Sequence, residues 1–233
     1  MTFNFPREDI CVVIPCFNEA RHIRRVASAT RPFASTVLVV DDGSTDATSS
    51  EAAAAGAQVL RLPRNQGKGA ALKAGFAWAA EQHFAAAITL DGDGQHDPAE
   101  IQAFFDAYDQ GHCDIVIGNR MTDTRAMPRL RRWTNRLTSA AISRLAGQRL
   151  WDTQCGFRLI TIETWNKLKL EGRRYELETE VLIRAARAGA RIEQVKVATI
   201  YAQHNESKIH PIKDGARILR LLWRCRKAEG LKR

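Results

Sequence analysis

The feature that most constrains the fold of this chain is a series of short apolar runs that alternate with helix-length segments. In order, the runs cover residues 10–15, 37–40, 59–62, 85–90 and 114–118. Strands buried on both faces read as continuous apolar runs, whereas half-exposed strands alternate apolar and polar residues. The pattern therefore predicts an α/β fold in which helices flank a mostly parallel central sheet.

The segments between the runs predict helices at residues 19–28, 70–83 and 98–108, and one through the alanines to residue 55. Pro15 is expected to end the first strand. Asn18 is expected to cap the first helix, and Ser44 or Thr45 the second. The second half of the chain is less regular. There we predict a helix near residues 130–145, a short strand at 156–160, a helix at 177–188 and a strand at 192–200.

Two later helices are amphipathic. The helix near residues 130–145 has one apolar face and a separate basic face. The apolar residues are Leu130, Trp133, Leu137, Ala141 and Leu145, and the basic ones are Arg129, Arg132 and Arg136. The last predicted helix, residues 211–227, sets Arg217, Arg220, Arg224 and Lys227 against Ile218, Leu219 and Leu222. A basic amphipathic helix of this kind either lies on an anionic membrane or docks on its own domain.

Polar residues follow four of the apolar runs at the point where each run ends. They are Asn18 with Glu19, Asp41 with Asp42, Asp91 with Asp93, and Asn119 with Arg120. Parallel strands present their carboxyl ends at one edge of the sheet, and ligands of open α/β sheets bind at that edge. The sequence therefore predicts a binding site built by several loops there.

The segment from Asp91 to Gln95 brings two carboxylates together at such a strand end. Alternate side chains of an extended segment share a face, so Asp91, Asp93 and Gln95 are expected to point the same way. Two carboxylates ~4 Å apart near a surface repel each other by about 4 kcal/mol. A divalent cation with oxygen ligands removes that repulsion. The alternative is a solvated acidic turn, because Asp-Gly pairs are common in turns.

Composition narrows the classes of partner. The 233 residues carry a net charge of +9, which favours an anionic partner such as a nucleotide, a phosphate or a membrane surface. Nucleic acid is disfavoured, because aromatic residues make up only 7% and do not interleave with a basic stretch. The five scattered cysteines predict neither a disulfide framework nor a zinc site. With no signal peptide and no bilayer-length apolar segment, we expect a cytoplasmic protein that touches membrane at most peripherally.

Five motifs, in this order, resemble those of family 2 glycosyltransferases. They are Val-Ile-Pro-Cys-Phe-Asn-Glu (13–19), Val-Val-Asp-Asp-Gly-Ser-Thr-Asp (39–46), Asn-Gln-Gly-Lys-Gly (65–69), Asp-Gly-Asp-Gly-Gln-His (91–96) and Asp-Thr-Gln-Cys-Gly-Phe-Arg (152–158). The resemblance covers residues 10–222 and is closest to the branch of dolichyl- and polyprenyl-phosphate sugar synthases. It implies a GT-A fold and an inverting transfer of sugar from a UDP- or GDP-sugar, with Mg²⁺ or Mn²⁺ as cofactor.

On the donor side, the resemblance implies that Asp91, Asp93 and Gln95 hold the metal and that Asp41 and Asp42 hold base and ribose. At the neighbouring strand end, Pro15, Asn18 and Glu19 would complete the nucleotide pocket. Gly67 and Lys68 are candidates for contacts to phosphate or ribose, with a plain strand-to-helix turn as the alternative for the glycine. Lys208 resembles a mobile-loop lysine that closes on the donor phosphates, with a solvent-facing lysine as the alternative.

On the acceptor side, the resemblance implies a polyprenyl phosphate or another membrane lipid. Arg120 and Arg131 are candidates for holding its phosphate, and the motif around Gln154 and Arg158 would lie near donor sugar and acceptor. An ionised phosphate oxygen needs no strong general base. A hydroxyl acceptor does, and then Asp152 or Glu178 is the candidate base. The alternative roles are structural, with Asp152 capping a turn and Arg158 pairing with a carboxylate.

We expect a single domain over residues 1–233, with a nucleotide-sugar half (10–120), an acceptor half (121–210) and a basic C-terminal helix (211–233). The sequence indicates no oligomeric state. A sugar nucleotidyltransferase is the competing enzyme class, since it also combines a parallel sheet with metal-binding aspartates. That class carries a Gly-rich basic loop directly after the first strand. Here that place holds residues 15–19, which are neither Gly-rich nor basic.

Overall fold

A computed structural model describes residues 7–200 of the chain, except residues 112 and 126. Its centre is a seven-stranded sheet in the order β3-β2-β1-β4-β6-β5-β7. The strands are β1 (Ile10–Cys16), β2 (Val37–Asp41), β3 (Gln58–Arg61), β4 (Ala86–Thr89), β5 (Ile115–Asn119), β6 (Arg158–Thr161) and β7 (Ile192–Lys196). Within this sheet β6 alone runs antiparallel to its neighbours. The predicted mostly parallel sheet is therefore confirmed.

Seven α-helices lie in the described residues. They are α1 (Ile23–Thr30), α2 (Thr48–Ala54), α3 (Lys68–Glu81), α4 (Ile101–Asp109), α5 (Arg129–Ala146), α6 (Ile162–Lys167) and α7 (Glu176–Arg187). Short 3₁₀ helices precede α4 at Pro98–Glu100 and follow β5 at Arg120–Thr122. Strands β1 and β2 are buried at every position, which requires cover on both faces of the sheet. Helix α3 packs on β1, β2 and β4, and α6 and α7 lie beside it.

Pro15 does not end the first strand, contrary to the prediction. Strand β1 continues to Cys16, whose partner in β2 is Asp41. The pairing of β1 with β4 ends at Val13, opposite Thr89. Proline lacks the N–H that a ladder uses, so it is tolerated where the neighbouring strand has already ended.

Both predicted helix caps are wrong. Helix α1 begins at Ile23 with His22 at its N-cap, and α2 begins at Thr48 with Ala47 there; neither cap side chain bonds the helix. Asn18 instead adopts a left-handed backbone conformation, with a φ of 53°. Asparagine tolerates that conformation better than most residues. The residues predicted as caps, Asn18, Ser44 and Thr45, instead form hydrogen bonds that join two loops.

Helix α5 reverses the orientation that its apolar stripe suggests. Its buried residues are Asn135, Ser139, Ile142 and Ala146. Leu130, Trp133 and Leu137 are 78%, 61% and 67% exposed. The apolar residues from Leu130 to Leu137 therefore point away from the core, whereas Leu145 packs partly against it. A mostly small and polar face packs inward.

The antiparallel direction of β6 brings the motif at residues 152–158 to the functional edge of the sheet. A parallel strand places its carboxyl end there, whereas β6 places its start there, at Arg158.

Helix α6 was not predicted, and β7 ends at Lys196, before the predicted residue 200. The predicted helix at 211–227 and Lys208 lie outside the described residues. None of the helices described is long and apolar enough to cross a bilayer.

Candidate active site

The carboxyl ends of β1, β2, β4 and β5 meet at one edge of the sheet, and the predicted polar motifs lie there. The loops after β1 and β2 are joined by hydrogen bonds. The Asn18 N–H donates to Ser44 Oγ over 2.9 Å, and Asn18 Oδ1 accepts from the Thr45 N–H over 2.9 Å. The Glu19 N–H donates to Thr48 Oγ1 over 2.8 Å. Asn18 and Glu19 thus lie beside the second loop, as the sequence predicted.

The carboxylates of Asp41 and Asp42 accept hydrogen bonds that hold the neighbouring loops in place. Asp41 Oδ1 accepts from the Ser44 N–H over 2.8 Å, and Asp41 Oδ2 accepts from the Ser49 hydroxyl. Asp42 accepts from the backbone N–H groups of Gln66 and Gly67, over 2.8 and 2.7 Å. The two carboxylates are only 0% and 2% exposed. Direct binding of base and ribose, which the resemblance implies, would require these loops to rearrange.

A carboxylate–lysine–carboxylate cluster lies at the end of β4. Lys68, the first residue of α3, places its Nζ 2.6 Å from Asp91 Oδ1 and 3.1 Å from Glu178 Oε1. Burial alone would lower the pKa of Lys68, but these two carboxylates raise it above its ordinary value. Burial likewise opposes ionisation of Asp91, and the Lys68 charge outweighs it and lowers the pKa of Asp91. Lys68 and Asp91 are therefore both charged at neutral pH.

The pKa of Asp93 shifts in the opposite direction from that of Asp91. Burial raises its pKa to about 6, and the neighbouring Asp91 carboxylate adds to the shift. Its Oδ1 accepts from the backbone N–H of Gln95 over 2.9 Å. A partly buried carboxylate under repulsion is stabilised by an added cation, and hard carboxylate and amide oxygens suit Mg²⁺ or Mn²⁺. Asp91, Asp93 and Gln95 therefore fit the implied metal.

The protein supplies a small share of a metal's ligands here. No group of three His, Cys, Asp or Glu side chains is arranged to hold a metal within the part of the chain described. Mg²⁺ in phosphate-transfer sites is commonly held by one or two carboxylates together with substrate phosphates and water. The acidic pair is thus suited to a metal that arrives with a phosphorylated ligand.

Glycines near this cluster permit close contacts within the protein itself. A Cβ on Gly156 would lie 2.7 Å from Asp91 Oδ2 and 2.9 Å from Lys68 Nζ. A Cβ on Gly67 would lie 2.7 Å from the carbonyl oxygen of Arg173. The Gly67 loop therefore approaches the protein's own backbone closely, which agrees with the alternative of a strand-to-helix turn for this glycine. Lys68 is the residue of that loop that enters the site.

Arg120 and Asp152 form a buried ion pair next to this cluster. Arg120 Nε and Nη2 donate to Asp152 Oδ2 and Oδ1 over 2.7 and 2.9 Å. Asn135, on the inner face of α5, donates to Asp152 Oδ1 over 2.8 Å. Although burial opposes ionisation, Arg120 lowers the pKa of Asp152. Asp152 is 1% exposed, with both oxygens bonded. This geometry suits holding Arg120 and does not suit a general base, the role suggested for Asp152 with a hydroxyl acceptor.

Arg158 is a scaffold residue, not a ligand-binding one. It is 2% exposed, and its side chain donates to the backbone carbonyls of Cys155, Glu178 and Thr153 over 2.8, 2.6 and 2.9 Å. Both suggested roles, binding near the donor sugar and pairing with a carboxylate, are corrected by these contacts. The guanidinium joins the loop before β6 to the start of α7.

The remaining candidates divide between the site and the surface. Glu178 points to Lys68, whereas Glu180 points away and accepts from the backbone of residues 171 and 172. Of these two glutamates, Glu178 alone contacts Lys68. Gln154 and Arg131 are exposed, Arg131 on α5, and Pro15 is buried in β1.

His96 packs against Phe157, with ring centroids 5.3 Å apart, and burial lowers the pKa of His96 to about 4. It is neutral at neutral pH.

Sequence reasoning missed Asn135 and Gly156 as parts of the site. Asn135 and Ser139 are spaced four apart, in register with Ile142 and Ala146, so the small and polar face of α5 was a usable signal. Ser139 Oγ lies 2.9 Å from Asn135 Oδ1 and 3.1 Å from Thr153 Oγ1. Gly156 lay inside a motif that was noted, but its role depends on the approach of Asp91 in space.

The edge of this mostly parallel sheet thus brings together paired aspartates, a buried lysine and an arginine held by a carboxylate, which are groups suited to a metal and to phosphate. Comparison with known proteins identifies the family to which this chain belongs. The model of glycosyl transferase family 2 matches residues 11–164. The chain belongs to this family, and the resemblance seen in its motifs is confirmed. It is a glycosyltransferase.

Curated relatives place the chain near polyprenyl-phosphate sugar synthases. It is 35% identical to glycosyltransferase AglJ of Haloferax volcanii over 224 residues, covering 92% of this chain and 71% of that protein. It is 29% identical to an undecaprenyl-phosphate mannosyltransferase of Micrococcus luteus, covering 86% and 87%. It is also 29% identical to a polyprenol monophosphomannose synthase of Mycolicibacterium smegmatis, covering 88% and 82%.

Solved structures confirm the fold. Glucosyl-3-phosphoglycerate synthase of Mycobacterium tuberculosis in complex with UDP superposes with a TM-score of 0.73 at 24% identity, covering 94% of this chain and 80% of that one. The same enzyme in complex with Mn²⁺, UDP and phosphoglyceric acid superposes with a TM-score of 0.72 at 22% identity. The architecture is the GT-A fold expected from the motifs.

Proposed function

We propose that this glycosyltransferase moves a sugar from a nucleoside diphosphate sugar, with UDP or GDP as the nucleotide, to a polyprenyl phosphate. The observation that carries the proposal is the pairing of two charged units at one edge of the sheet. Asp91, Asp93 and Lys68 form the donor side, and Arg120 held by Asp152 forms the acceptor side. Relatives named for undecaprenyl phosphate and polyprenol support the acceptor class.

On the donor side, Asp91 and Asp93 hold Mg²⁺ or Mn²⁺, with Gln95 as a further oxygen ligand. When bound, the metal supplies Lewis-acid stabilisation of the leaving diphosphate. Lys68 adds a buried positive charge beside it, where charge develops during the reaction. Structures of a fold relative with Mn²⁺ or Mg²⁺ and UDP support this assignment.

On the acceptor side, Arg120 holds the phosphate and Asp152 positions Arg120. A phosphate oxygen attacks the anomeric carbon from the face opposite the diphosphate, the bond between that carbon and the diphosphate breaks, and the configuration inverts. The attacking oxygen is already ionised, so no side chain has to remove a proton. Holding the two reactants in line is then the main contribution of the protein.

A second candidate is transfer to a hydroxyl of a glycolipid or polysaccharide. One observation favours it: Glu178 reaches the site and is engaged there by Lys68. A carboxylate in that place is able to act as general base once Lys68 moves to the donor. Asp152 does not compete for this role, because both of its oxygens are bonded. A sugar nucleotidyltransferase is excluded by the family membership.

A polyprenyl phosphate acceptor places the enzyme at a membrane. We therefore propose a cytoplasmic protein that binds peripherally to the inner face of the cytoplasmic membrane. The net charge of +9 supports attraction to anionic lipids.

The test is a screen of UDP- and GDP-sugars for hydrolysis and transfer with Mn²⁺, with and without polyprenyl phosphate. We expect one donor class to be consumed faster when the lipid is present, with the sugar recovered on the lipid. Asp91→Ala and Asp93→Ala should abolish turnover. Full metal-dependent turnover in either variant would contradict the metal assignment, and transfer only to hydroxyl acceptors would favour the second candidate.

A further inference from the structure

Helix α5 presents large apolar side chains to solvent in a single stripe. Leu130, Trp133 and Leu137 are 78%, 61% and 67% exposed. They are spaced three and four residues apart, so they share one face of the helix. We call this stripe, with the flanking Arg129 and Arg136, the α5 outer face. A contiguous apolar patch bordered by charge marks an interaction site more often than isolated exposed residues do.

The inner face of α5 is already fully used, so the helix has no need of the stripe for packing. Asn135 and Ser139 are 4% and 3% exposed and bond to Asp152 and Thr153. A register in which the stripe faced the core would remove the Asn135 contact to Asp152. The outward orientation is therefore fixed by the polar network beside the active site.

The charge of the α5 outer face identifies the kind of partner. Helix α5 contains five arginines and no acidic residue. Neither Arg129 nor Arg136 forms an ion pair with any residue that the structure describes. A groove of about 540 Å³ continues the surface toward Arg149 and Trp151. The Arg149 guanidinium lies 3.7 Å from the centre of the Trp151 ring, and Trp151 is 48% exposed. Leucine and tryptophan bordered by arginine are typical of helices that lie in a membrane interface.

We propose that the α5 outer face docks on an anionic lipid bilayer, with Leu130, Trp133 and Leu137 in the interface and the arginines on the headgroups. A second copy of the chain would place like charges opposite each other across this face. The segment 201–233 would do the same, because it carries nine Lys and Arg against three Asp and Glu. Charge complementarity therefore favours anionic lipid over both.

This surface is connected to the acceptor side of the site. Asn135 lies on the opposite face of the same helix and bonds to Asp152, which holds Arg120. Docking through α5 would thus present Arg120 to phosphates that lie at the bilayer surface. The inference rests on the proposed function only for this consequence. Lipid binding itself requires neither donor nor metal.

The test measures sedimentation of the full chain with vesicles of phosphatidylglycerol and phosphatidylcholine, or of phosphatidylcholine alone, without sugar nucleotide or metal. Two variants address the surface: Leu130→Ser with Trp133→Ser and Leu137→Ser, and Arg129→Gln with Arg136→Gln. The matched control is Arg21→Gln with Lys169→Gln, which removes the same charge from two other exposed positions. Circular dichroism confirms that each variant is folded.

We expect binding to the anionic vesicles that weakens with added salt. The arginine variant should bind about 30-fold more weakly, since each basic residue near such a surface contributes about 1 kcal/mol. The serine variant should bind the vesicles at least about tenfold more weakly than the parent chain. The affinity of the control variant should lie within about threefold of that of the parent chain. Brominated lipids should quench tryptophan fluorescence in the parent and quench it much less in Trp133→Phe.

Equal loss of binding in the arginine variant and the control would show that net charge acts, not this face, and would overturn the proposal. Unchanged binding in both α5 variants would also overturn it. Light scattering gives a third outcome: a parent dimer that the serine variant converts to monomer would assign the face to a second copy. Failure of any of these tests leaves the transfer assay with soluble donor unaffected, so the two proposals fail separately.

Discussion

Asp91 and Asp93 lie two residues apart, yet their surroundings push their pKa values in opposite directions. Lys68 outweighs the burial of Asp91 and lowers its pKa, whereas burial raises the pKa of Asp93 to about 6. Lys68 therefore stabilises the charge of Asp91, whereas burial disfavours the charged form of Asp93. At the residue scale, an added cation would favour the charged form of Asp93.

Asp93→Asn should stabilise the metal-free protein at neutral pH. The folded carboxyl has a raised pKa, so its ionisation destabilises the fold fully above about pH 6 and not at all below the ordinary pKa. The shift corresponds to at most ~3 kcal/mol, which solvent screening reduces to about 1–2 kcal/mol. Thermal unfolding at pH 7.5 should show a higher Tm, and the gain should disappear as the pH falls from 6 to 4.

Asp123→Asn is the matched control for this prediction. Asp123 lies beside Arg125, which lowers its pKa to about 2. The same substitution there removes a favourable charge and should give no gain in Tm. Equal stabilisation by both substitutions, or a gain for Asp93→Asn that persists at pH 4, would contradict the charge explanation.

Lys68→Met should separate metal binding from turnover. The ammonium group lies 2.6 Å from Asp91 Oδ1, so it competes with a cation for that carboxylate. Its removal should raise the affinity for Mn²⁺ alone by about tenfold, because a like charge next to the site is lost. Turnover should fall at the same time, since the charge that assists the leaving diphosphate is gone. Unchanged Mn²⁺ affinity in a titration by electron paramagnetic resonance would contradict this role.

At the scale of elements, the site is assembled by one strand that runs against the others. The loop before β6 carries Asp152 and Gly156, and the start of β6 carries Arg158, to the edge where the parallel strands end. Helix α7 contributes Glu178 there, and Arg158 joins the two elements through backbone carbonyls. These hydrogen bonds are structural. Their loss should therefore lower the free energy of unfolding more than it weakens ligand binding.

Arg158→Lys tests that distinction. Lysine keeps the charge but lacks the planar fork that serves three carbonyls at once. Unfolding by urea should show a loss of about 2–3 kcal/mol, because buried carbonyl groups lose their partners. Nucleotide affinity measured well below the melting temperature should change less than about threefold. The opposite pattern, with unchanged stability and weak nucleotide binding, would return Arg158 to the donor site. Arg21→Lys, at an exposed position, is the control.

The sequence allowed the order of elements and the site edge to be predicted, because both depend on local patterns. Apolar runs located β1, β2, β4 and β5, and the polar residues after them located the edge. Long-range contacts decided the rest. The direction of β6 depends on pairing with β4, and the orientation of α5 depends on Asn135 meeting Asp152. The roles of Asp41 and Asp42 likewise depend on loops that fold back over them.

At the scale of the whole molecule, the proposed donor and acceptor groups share one edge of the sheet, and α5 extends that edge into an exposed apolar surface. The proposed donor cluster at Lys68 and the proposed acceptor pair at Arg120 are fixed by different elements, α3 and the turn after β5. A change at Arg120 should therefore affect the lipid phosphate while leaving donor hydrolysis nearly intact.

The most direct measurement compares sugar transfer to a polyprenyl phosphate and to the matching polyprenol, in the parent enzyme and in Arg120→Gln. We expect the parent to transfer sugar to the phosphate and at least about 100-fold less to the alcohol. We also expect Arg120→Gln to lose most transfer to the phosphate while retaining metal-dependent donor hydrolysis. Equal transfer to both lipids, or an unchanged preference in Arg120→Gln, would contradict the role of Arg120 as the group that holds the acceptor phosphate.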